Sequence, residues 1–440
     1  MSDRPIGRLA NPVKVYVEVT DTISIPYTTG IQRVVREILT RLDSDDYPDL
    51  DVIPIFRPAP QVDYRRLTDA EARALRVHPA GGAASRRADR FGVLSPLVRL
   101  AGDTKVVYQT RIHYRHLKAR IRERQASRED LAIGRMEQGS VFFDTEGSWF
   151  DPEPRSTLLP RVLGDGLIPV VFVHDVMPTL YPQWFDKRQV TVFNDWLSAH
   201  IHHSDVFLTN SRCTSKDLLS IAGAQGVDLN GRMRQIPLGA DFMTGESKRV
   251  PIPSAIGRYL LVVGTIEPRK NHRNVLDAWN RLRNDHPDLG LIFVGKEGWM
   301  VTDLAAEIRA HEDFSERFLW LGGLEDSELL WLYQNAFITL AMSQYEGLGV
   351  PVIEALKNGC PAIVSTGGAL PEAGEGHTEL VDPGSLDALV ETIRRHLTDP
   401  DHHRAQVELA ESFESIGWEQ TTEAVAEAIR FAATRREPSK

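Results

Sequence analysis

Two glutamates, Glu346 and Glu354, bracket the run Gly347-Leu348-Gly349-Val350-Pro351-Val352-Ile353. Ionised carboxylates accept hydrogen bonds from hydroxyl groups. A glycine turn that opens a helix presents unpaired backbone amides at the positive end of the helix dipole, a place for an anion such as a diphosphate. Taken together, these residues suit a ligand that carries phosphates between two sets of hydroxyls. Taken alone, acids beside a first helical turn also describe an ordinary helix start.

A second set lies at Gly264-Thr265 and Glu267-Pro268-Arg269-Lys270-Asn271. Lys270 as a point charge and Arg269 as a planar fork suit neutralising phosphates and the charge that develops on a phosphate leaving group. An exposed basic loop is the plainer alternative for that pair taken by itself. His174-Asp175 directly follows the apolar run Pro169–Val173, which would place an imidazole at a strand's carboxyl end. Three Asp-x-Asp spacings, at Asp43-Ser44-Asp45, Asp49-Leu50-Asp51 and Asp399-Pro400-Asp401, are read as structural turns. No Cys/His spacing suggests zinc, and neither a GxxxxGK[ST] nor a GxGxxG loop occurs.

These residues need strands and helices to hold them. Phe337–Ala341 reads as a buried parallel strand, and Val352–Asn358, closed by Gly359, as the helix after it. In the first half, Val13–Val19 alternates as a strand, and Thr29-Gly30 opens a helix with Ile31, Val34, Val35, Ile38, Leu39 and Leu42 at helical spacing. Further strands are expected at Val52–Phe56, Ser140–Phe143, Pro169–Val173 and Val206–Thr209, with a helix around Asn194–His202. The second half repeats the plan at Tyr259–Val263, Leu291–Val294, Phe318–Leu321 and Ala362–Ser365. Strand and helix alternation predicts an α/β fold of two Rossmann-like, doubly wound domains in tandem, with ligand in the cleft at the strands' carboxyl ends.

The chain has 440 residues, 42% hydrophobic and 25% charged, a globular composition too long for one core. No run reaches the roughly 18 apolar residues that span a bilayer, and two cysteines give no disulfide framework. With no apolar secretion signal at Met1–Pro5, a cytoplasmic protein is expected. The net charge of −10 argues against a general nucleic-acid binder. Between Arg65 and Arg128, however, about 16 Lys and Arg meet about 5 Asp and Glu. That stretch suits either an anionic membrane surface or a solvated set of basic helices.

The chain resembles the retaining, GT-B type glycosyltransferases of family 4. The resemblance rests on Glu346-x7-Glu354, Gly359-Cys360-Pro361, Ser365, Pro371-Glu372, Val263-Gly264-Thr265 with Glu267–Asn271, Leu321-Gly322-Gly323-Leu324, and the closing Phe413 and Trp418-Glu419. It implies that Glu354 bonds the nucleotide ribose, and that Glu346 with the amides of Gly347, Leu348 and Gly349 holds donor sugar and diphosphate. Lys270 would contact the diphosphate, and His174 the sugar near the reacting carbon. Gly30 resembles the glycine loop at the donor–acceptor junction. Many members carry an Arg directly after the glycine occupied here by Gly264; Thr265 departs from that pattern, and Arg269 is the candidate substitute. The resemblance also implies an N-terminal acceptor domain over 1–248, a donor domain over 249–417, and a last helix, 418–440, that crosses back.

The expected activity is metal-independent transfer of a hexose, with GDP-mannose favoured as donor and no cofactor. The acceptor would be a hydroxyl of a glycan or lipid-linked glycan of bacterial surface polysaccharide, with the enzyme at the inner face of the membrane. A sugar-nucleotide epimerase and a non-catalytic scaffold share the architecture and stand as alternatives.

Overall fold

The computed structural model describes residues 7–24, 30–42, 45–58, 63–76, 131, 133, 135–151, 153–239 and 245–435. The first sheet contains β1 (Val13–Glu18), β2 (Leu50–Phe56), β3 (Arg65–Arg66), β4 (Val141–Asp144), β5 (Ile168–Val173), β6 (Val206–Thr209) and β7 (Met233–Gln235). Its order is β3-β2-β1-β4-β5-β6-β7, parallel throughout except that β3 runs antiparallel to β2. The second sheet contains β8 (Arg258–Val263), β9 (Leu289–Val294), β10 (Phe318–Leu321), β11 (Ile338–Ala341), β12 (Ala362–Ser365) and β13 (Glu379–Val381). Its order is β10-β9-β8-β11-β12-β13, and every pair is parallel.

Both sheets therefore reverse direction beside their first strand, between β1 and β4 and between β8 and β11. Loops at such a switch point diverge and leave a crevice. This is the two-domain doubly wound architecture that the alternating elements predict.

Alternation along β1 decides which face packs where. Val15 and Val17 meet Val34, Val35, Ile38 and Leu39 of the helix Gly30–Leu42, whereas Tyr16 joins Ile53, Ile55 and Phe142 on the opposite face. Each such side chain taken from water contributes about 1.5–3 kcal/mol. The last helix, Trp418–Arg435, places Trp418, Val425, Ile429 and Ala432 in the same core as β1. Arg430 forks onto Asp49 at 2.8 and 3.1 Å, so the second Asp-x-Asp spacing serves packing between distant segments. Of the first spacing only Asp45 is a described residue; in the third, Asp399 caps the helix Pro400–Glu411.

Three short strands, β3, β7 and β13, are missed by sequence reasoning. Each has two or three residues and sits at or beside a sheet edge, too short for alternation to register. The helix after β11 spans Val350–Lys357, two residues earlier than its apolar pattern suggests, because Pro351 fits the first turn. The basic stretch also needs correction. Arg65 is a buried partner of Glu71 at 2.8 Å and lies over the Phe56 ring, so it is no surface cation. Residues 77–130, which hold most of that stretch, lie outside the described residues.

Candidate active site

The loops after β8 and β11 leave the middle of the second sheet side by side. Gln344 donates its backbone N–H to the Arg269 carbonyl at 2.7 Å and ties them together. Pro268–Lys270 forms one tight turn, and Asn271 leaves it in the left-handed conformation, φ 59°, with its side chain donating to the Pro383 carbonyl at 2.8 Å. The turn delivers both cations to one carboxylate.

That carboxylate is Glu346. It accepts from Arg269 at 2.7 Å, Lys270 at 2.5 Å and the Ser343 hydroxyl at 2.6 Å. Burial would raise its pKa, but Arg269 and Lys270 outweigh burial and bring it down to about 2. Arg269 also contacts Glu267 at 2.6 Å, and burial pushes the Glu267 carboxyl up against the pull of the two cations. The pair is thus held between two acids at the cleft.

Glu354 lies one turn into the helix Val350–Lys357 and meets a different environment. Burial raises its carboxyl to about 7, with Arg33 and the Tyr333 hydroxyl opposing. Tyr333 donates to it at 2.9 Å. One glutamate of the spacing is locked as an anion and the other is poised near neutrality, although the sequence presents them as equals. Environments that drive like groups apart in this way divide their roles.

Gly349 caps the same helix at φ 103°, where a Cβ would also lie 2.7 Å from the Leu370 side chain. Leu348 and Val350 pack against the core of the N-terminal domain, and Thr214 donates its hydroxyl to the Gly347 carbonyl at 3.3 Å. The turn between the glutamates is therefore also a contact between domains.

Across the cleft, His174 follows β5. Its Nε2 lies 3.0 Å from the Thr145 carbonyl, and its ring stacks on Phe172 at 4.4 Å. Because a carbonyl only accepts, that contact fixes the proton on Nε2 and leaves Nδ1 as the acceptor. Burial lowers the imidazole to about 4 against the pull of Thr145, so the ring is neutral. Asp175 beside it is pushed up by burial, with its Oδ1 accepting from the Met177 amide at 3.0 Å.

The remaining predicted residues are dispersed around this centre. Gly264 directly follows β8 next to the Lys270 side chain; a Cβ there would lie 3.5 Å from Lys270 Cε. Thr265 faces Gly298 in the loop after β9. Gly30 opens the helix Gly30–Leu42, and a Cβ there would meet no described atom within 4 Å; on the same helix Arg33 pairs with Asp326 at 2.6 Å and pulls the Glu354 carboxyl down. A cavity of about 620 Å³ lies beside the turn that carries the cations, lined by Glu267, Pro268, Asn271, Met300 and Gln344 among others, but by neither Arg269 nor Lys270. That is within the size range of small-ligand sites.

Sequence reasoning misses Ser343 and Asp217, and the parts played by Tyr333 and Glu372. Tyr345 donates its hydroxyl to Asp217, and Glu372 accepts from the amides of Arg212 and Cys213 at 2.8 and 2.7 Å, both across the domain boundary. For Asp217 and Glu372, spacing carries no signal, because their partners lie more than 100 positions away.

Residues 248–413 match the family described as Glycosyl transferases group 1. Among curated proteins, the serotype-specific mannosyltransferase WbdA of Escherichia coli is 29% identical over 220 residues, 47% of this chain and 27% of that protein. The O-antigen chain mannosyltransferase B of Escherichia coli is 34% identical over 145 residues, 32% of this chain and 37% of that protein. The chain thus matches about a quarter to a third of the length of these curated relatives. Among solved structures, Anabaena Alr3699/HepE in complex with UDP and glucose superposes with TM-score 0.58 at 15% identity, covering 94% of this chain and 98% of that one. Sucrose-phosphate synthase from Thermosynechococcus elongatus gives 0.56 at 17% identity, covering 96% and 98%. Likeness at that identity bears on the fold, and the fold is GT-B. Over residues 248–413 the chain is similar to the glycosyl transferases of group 1.

Proposed function

We propose that this protein is a retaining hexosyltransferase that uses a nucleotide diphosphate sugar, with GDP-mannose as the favoured donor. The observation that carries the reading is the convergence of Arg269 and Lys270 on Glu346 at the switch point of the second sheet. The two cations are preorganised around one anion, and an entering diphosphate would offer them oxygens in place of that carboxylate. Such preorganisation stabilises charge that develops on a leaving group without reorganisation at the moment of reaction.

In this reading the amides of Gly347, Leu348 and Gly349 and the Glu346 carboxylate hold the sugar and diphosphate, and Glu354 holds ribose hydroxyls. The bond from the anomeric carbon to the phosphate oxygen breaks while the acceptor oxygen bonds to the same face. The acceptor's proton passes to the departing phosphate oxygen. Positioning and charge stabilisation are what the protein supplies. A neutral His174, fixed by Thr145, presents a hydrogen-bond acceptor toward the sugar rather than a charge.

The Escherichia coli relatives named as serotype-specific and O-antigen chain mannosyltransferases support mannose as the sugar and a surface glycan, free or lipid-linked, as the acceptor. Among the described residues no helix is long and apolar enough to cross a membrane. Residence in the cytoplasm, with peripheral contact to an anionic membrane face through the cations that follow Arg65 up to Arg128, completes the proposal. Vesicle binding should then fall with salt and be lost on neutralising Arg120, Arg122 and Arg124.

A donor screen that detects released nucleoside diphosphate, run without and then with glycan acceptors, tests the reading. Acceptor-dependent release from GDP-mannose is expected. Donor turnover without any acceptor would favour the epimerase alternative, and no measurable nucleotide binding would favour a scaffold.

A further inference from the structure

At the edge of the second sheet remote from the cleft, three side chains from three elements converge. Glu379 is the first residue of β13, so it sits at the end opposite the strand's carboxyl end. His396 lies in the last turn of the helix Leu386–Thr398, and His402 in the first turn of the helix Pro400–Glu411. Both imidazole Nε2 atoms approach the same carboxylate oxygen, Glu379 Oε2, at 2.5 Å for His396 and 3.2 Å for His402. The three donor atoms lie within 4.8 Å of one another.

We propose that Glu379 Oε2, His396 Nε2 and His402 Nε2 bind one divalent transition-metal ion, with Zn²⁺ as the reference, clamping β13 to the two helices. Two imidazoles and one carboxylate form a donor set for borderline ions, and a hard ion such as Mg²⁺ or Ca²⁺ prefers oxygen alone. Around tetrahedral Zn²⁺, with bonds near 2.0–2.1 Å, ligand atoms stand about 3.4 Å apart. The His402 contact already matches that spacing, and the His396 contact opens by about 1 Å when an ion takes the place of a proton. Ring protons on Nε2 leave to solvent as the ion enters.

The surroundings are those of a supported site. Arg395 holds the other oxygen of Glu379 at 2.7 Å and fixes the carboxylate's orientation. His396 Nδ1 lies 3.0 Å from His403 Nδ1, a partner for the ring N–H that a metal-bound imidazole carries on its far side. His403 is itself held by stacking on Phe337 at 4.1 Å. His396 is 1% exposed, whereas Glu379 and His402 are 15% and 17% exposed, which leaves an approach from solvent and a fourth position for water.

The 440-residue protein, stripped with chelator and titrated with Zn²⁺ and with Co²⁺, is expected to bind one ion per chain, with a rise in Tm and, for Co²⁺, visible absorption of tetrahedral character. His402→Ala and Glu379→Gln should each weaken binding at least ~10-fold, and His403→Ala by about 10–100-fold as a supporting residue. Because His402 and Glu379 lie near the surface, circular dichroism should confirm folding of both variants. Absence of saturable binding by wild type would overturn the site and leave a proton-held network. Unchanged affinity in the folded His402→Ala or Glu379→Gln variant would overturn it as well. Nucleotide binding, measured on the same samples, should not change on metal removal, which keeps this test separate from that of the cleft.

Discussion

A Cβ placed on Gly347 would lie 2.6 Å from the carbonyl oxygen of His174 and 2.8 Å from Asp175 Cβ, on the far side of the cleft. The closed arrangement of the two domains therefore depends on residue 347 having no side chain. Backbone oxygen cannot move aside as a flexible side chain would. Gly347→Ala should force the domains apart, at about 1–3 kcal/mol for overpacking, and lower kcat/KM by roughly 10–100-fold. Steady-state kinetics and a larger radius of gyration by small-angle scattering check this. Wild-type values in both would show that closure at this point is dispensable.

The two cations are expected to act mainly on the chemical step. Lys270→Ala should reduce kcat by about 10²–10³ with a smaller effect on KM. Arg269→Lys keeps the charge but loses the fork that spans Glu267 and Glu346, so it too should slow turnover. Equal rises in KM with unchanged kcat would assign both residues to uniform binding instead.

Glu354 should give the protein a pH dependence that Glu346 does not share near neutrality. Its carboxyl titrates at about 7 when folded, against an ordinary 4.5. Below 4.5 both states hold the proton; between the two values only the folded state does, so stability declines as pH rises through this interval and the loss is complete above about 7. Glu354→Gln should therefore be more stable than wild type by about 1–3 kcal/mol at pH 8, with the gain absent at pH 4, as urea melts will show. Ribose hydroxyls donate best to the ionised form, so nucleoside diphosphate affinity should rise from pH 6 to 8 more steeply in wild type than in Glu354→Gln. Glu346 is the opposite case. Its folded value of about 2 means that its stabilisation is present above 4.5 and is lost as the pH falls toward 2.

Glu372 caps a helix that belongs to the other domain. Its carboxylate accepts from Arg212 and Cys213 at the start of the helix Arg212–Ala224, which already has Ser211 as its own cap. Removing the foreign cap in Glu372→Ala should cost about 0.5–2 kcal/mol of domain contact and leave the folding of the N-terminal domain intact. The expected result is a donor KM raised by roughly 3–10-fold at nearly constant Tm. An unchanged KM would remove this contact from the account of closure.

Much of this protein is legible in its sequence because the signals are local. Valines alternating in β1, apolar positions at helical spacing after Gly30, and the buried run before Glu346 each reflect which face an element must hide. Burial of that face is the main driving term, so the doubly wound fold class follows from pattern alone. Chemistry encoded by residue type at a turn is legible too, which is why Arg269, Lys270, Glu346 and Glu354 stand out. Only the tertiary structure decides what each of them experiences. Glu346 is held ionised by two cations from the neighbouring loop, whereas Glu354 is raised by burial beside Tyr333 and Arg33. The pairing of Glu372 with Arg212 and the convergence of Glu379, His396 and His402 are likewise set by how sheets and helices stack. Electrostatics and desolvation act over a few ångströms of space, and the distance between residues along the chain does not report them.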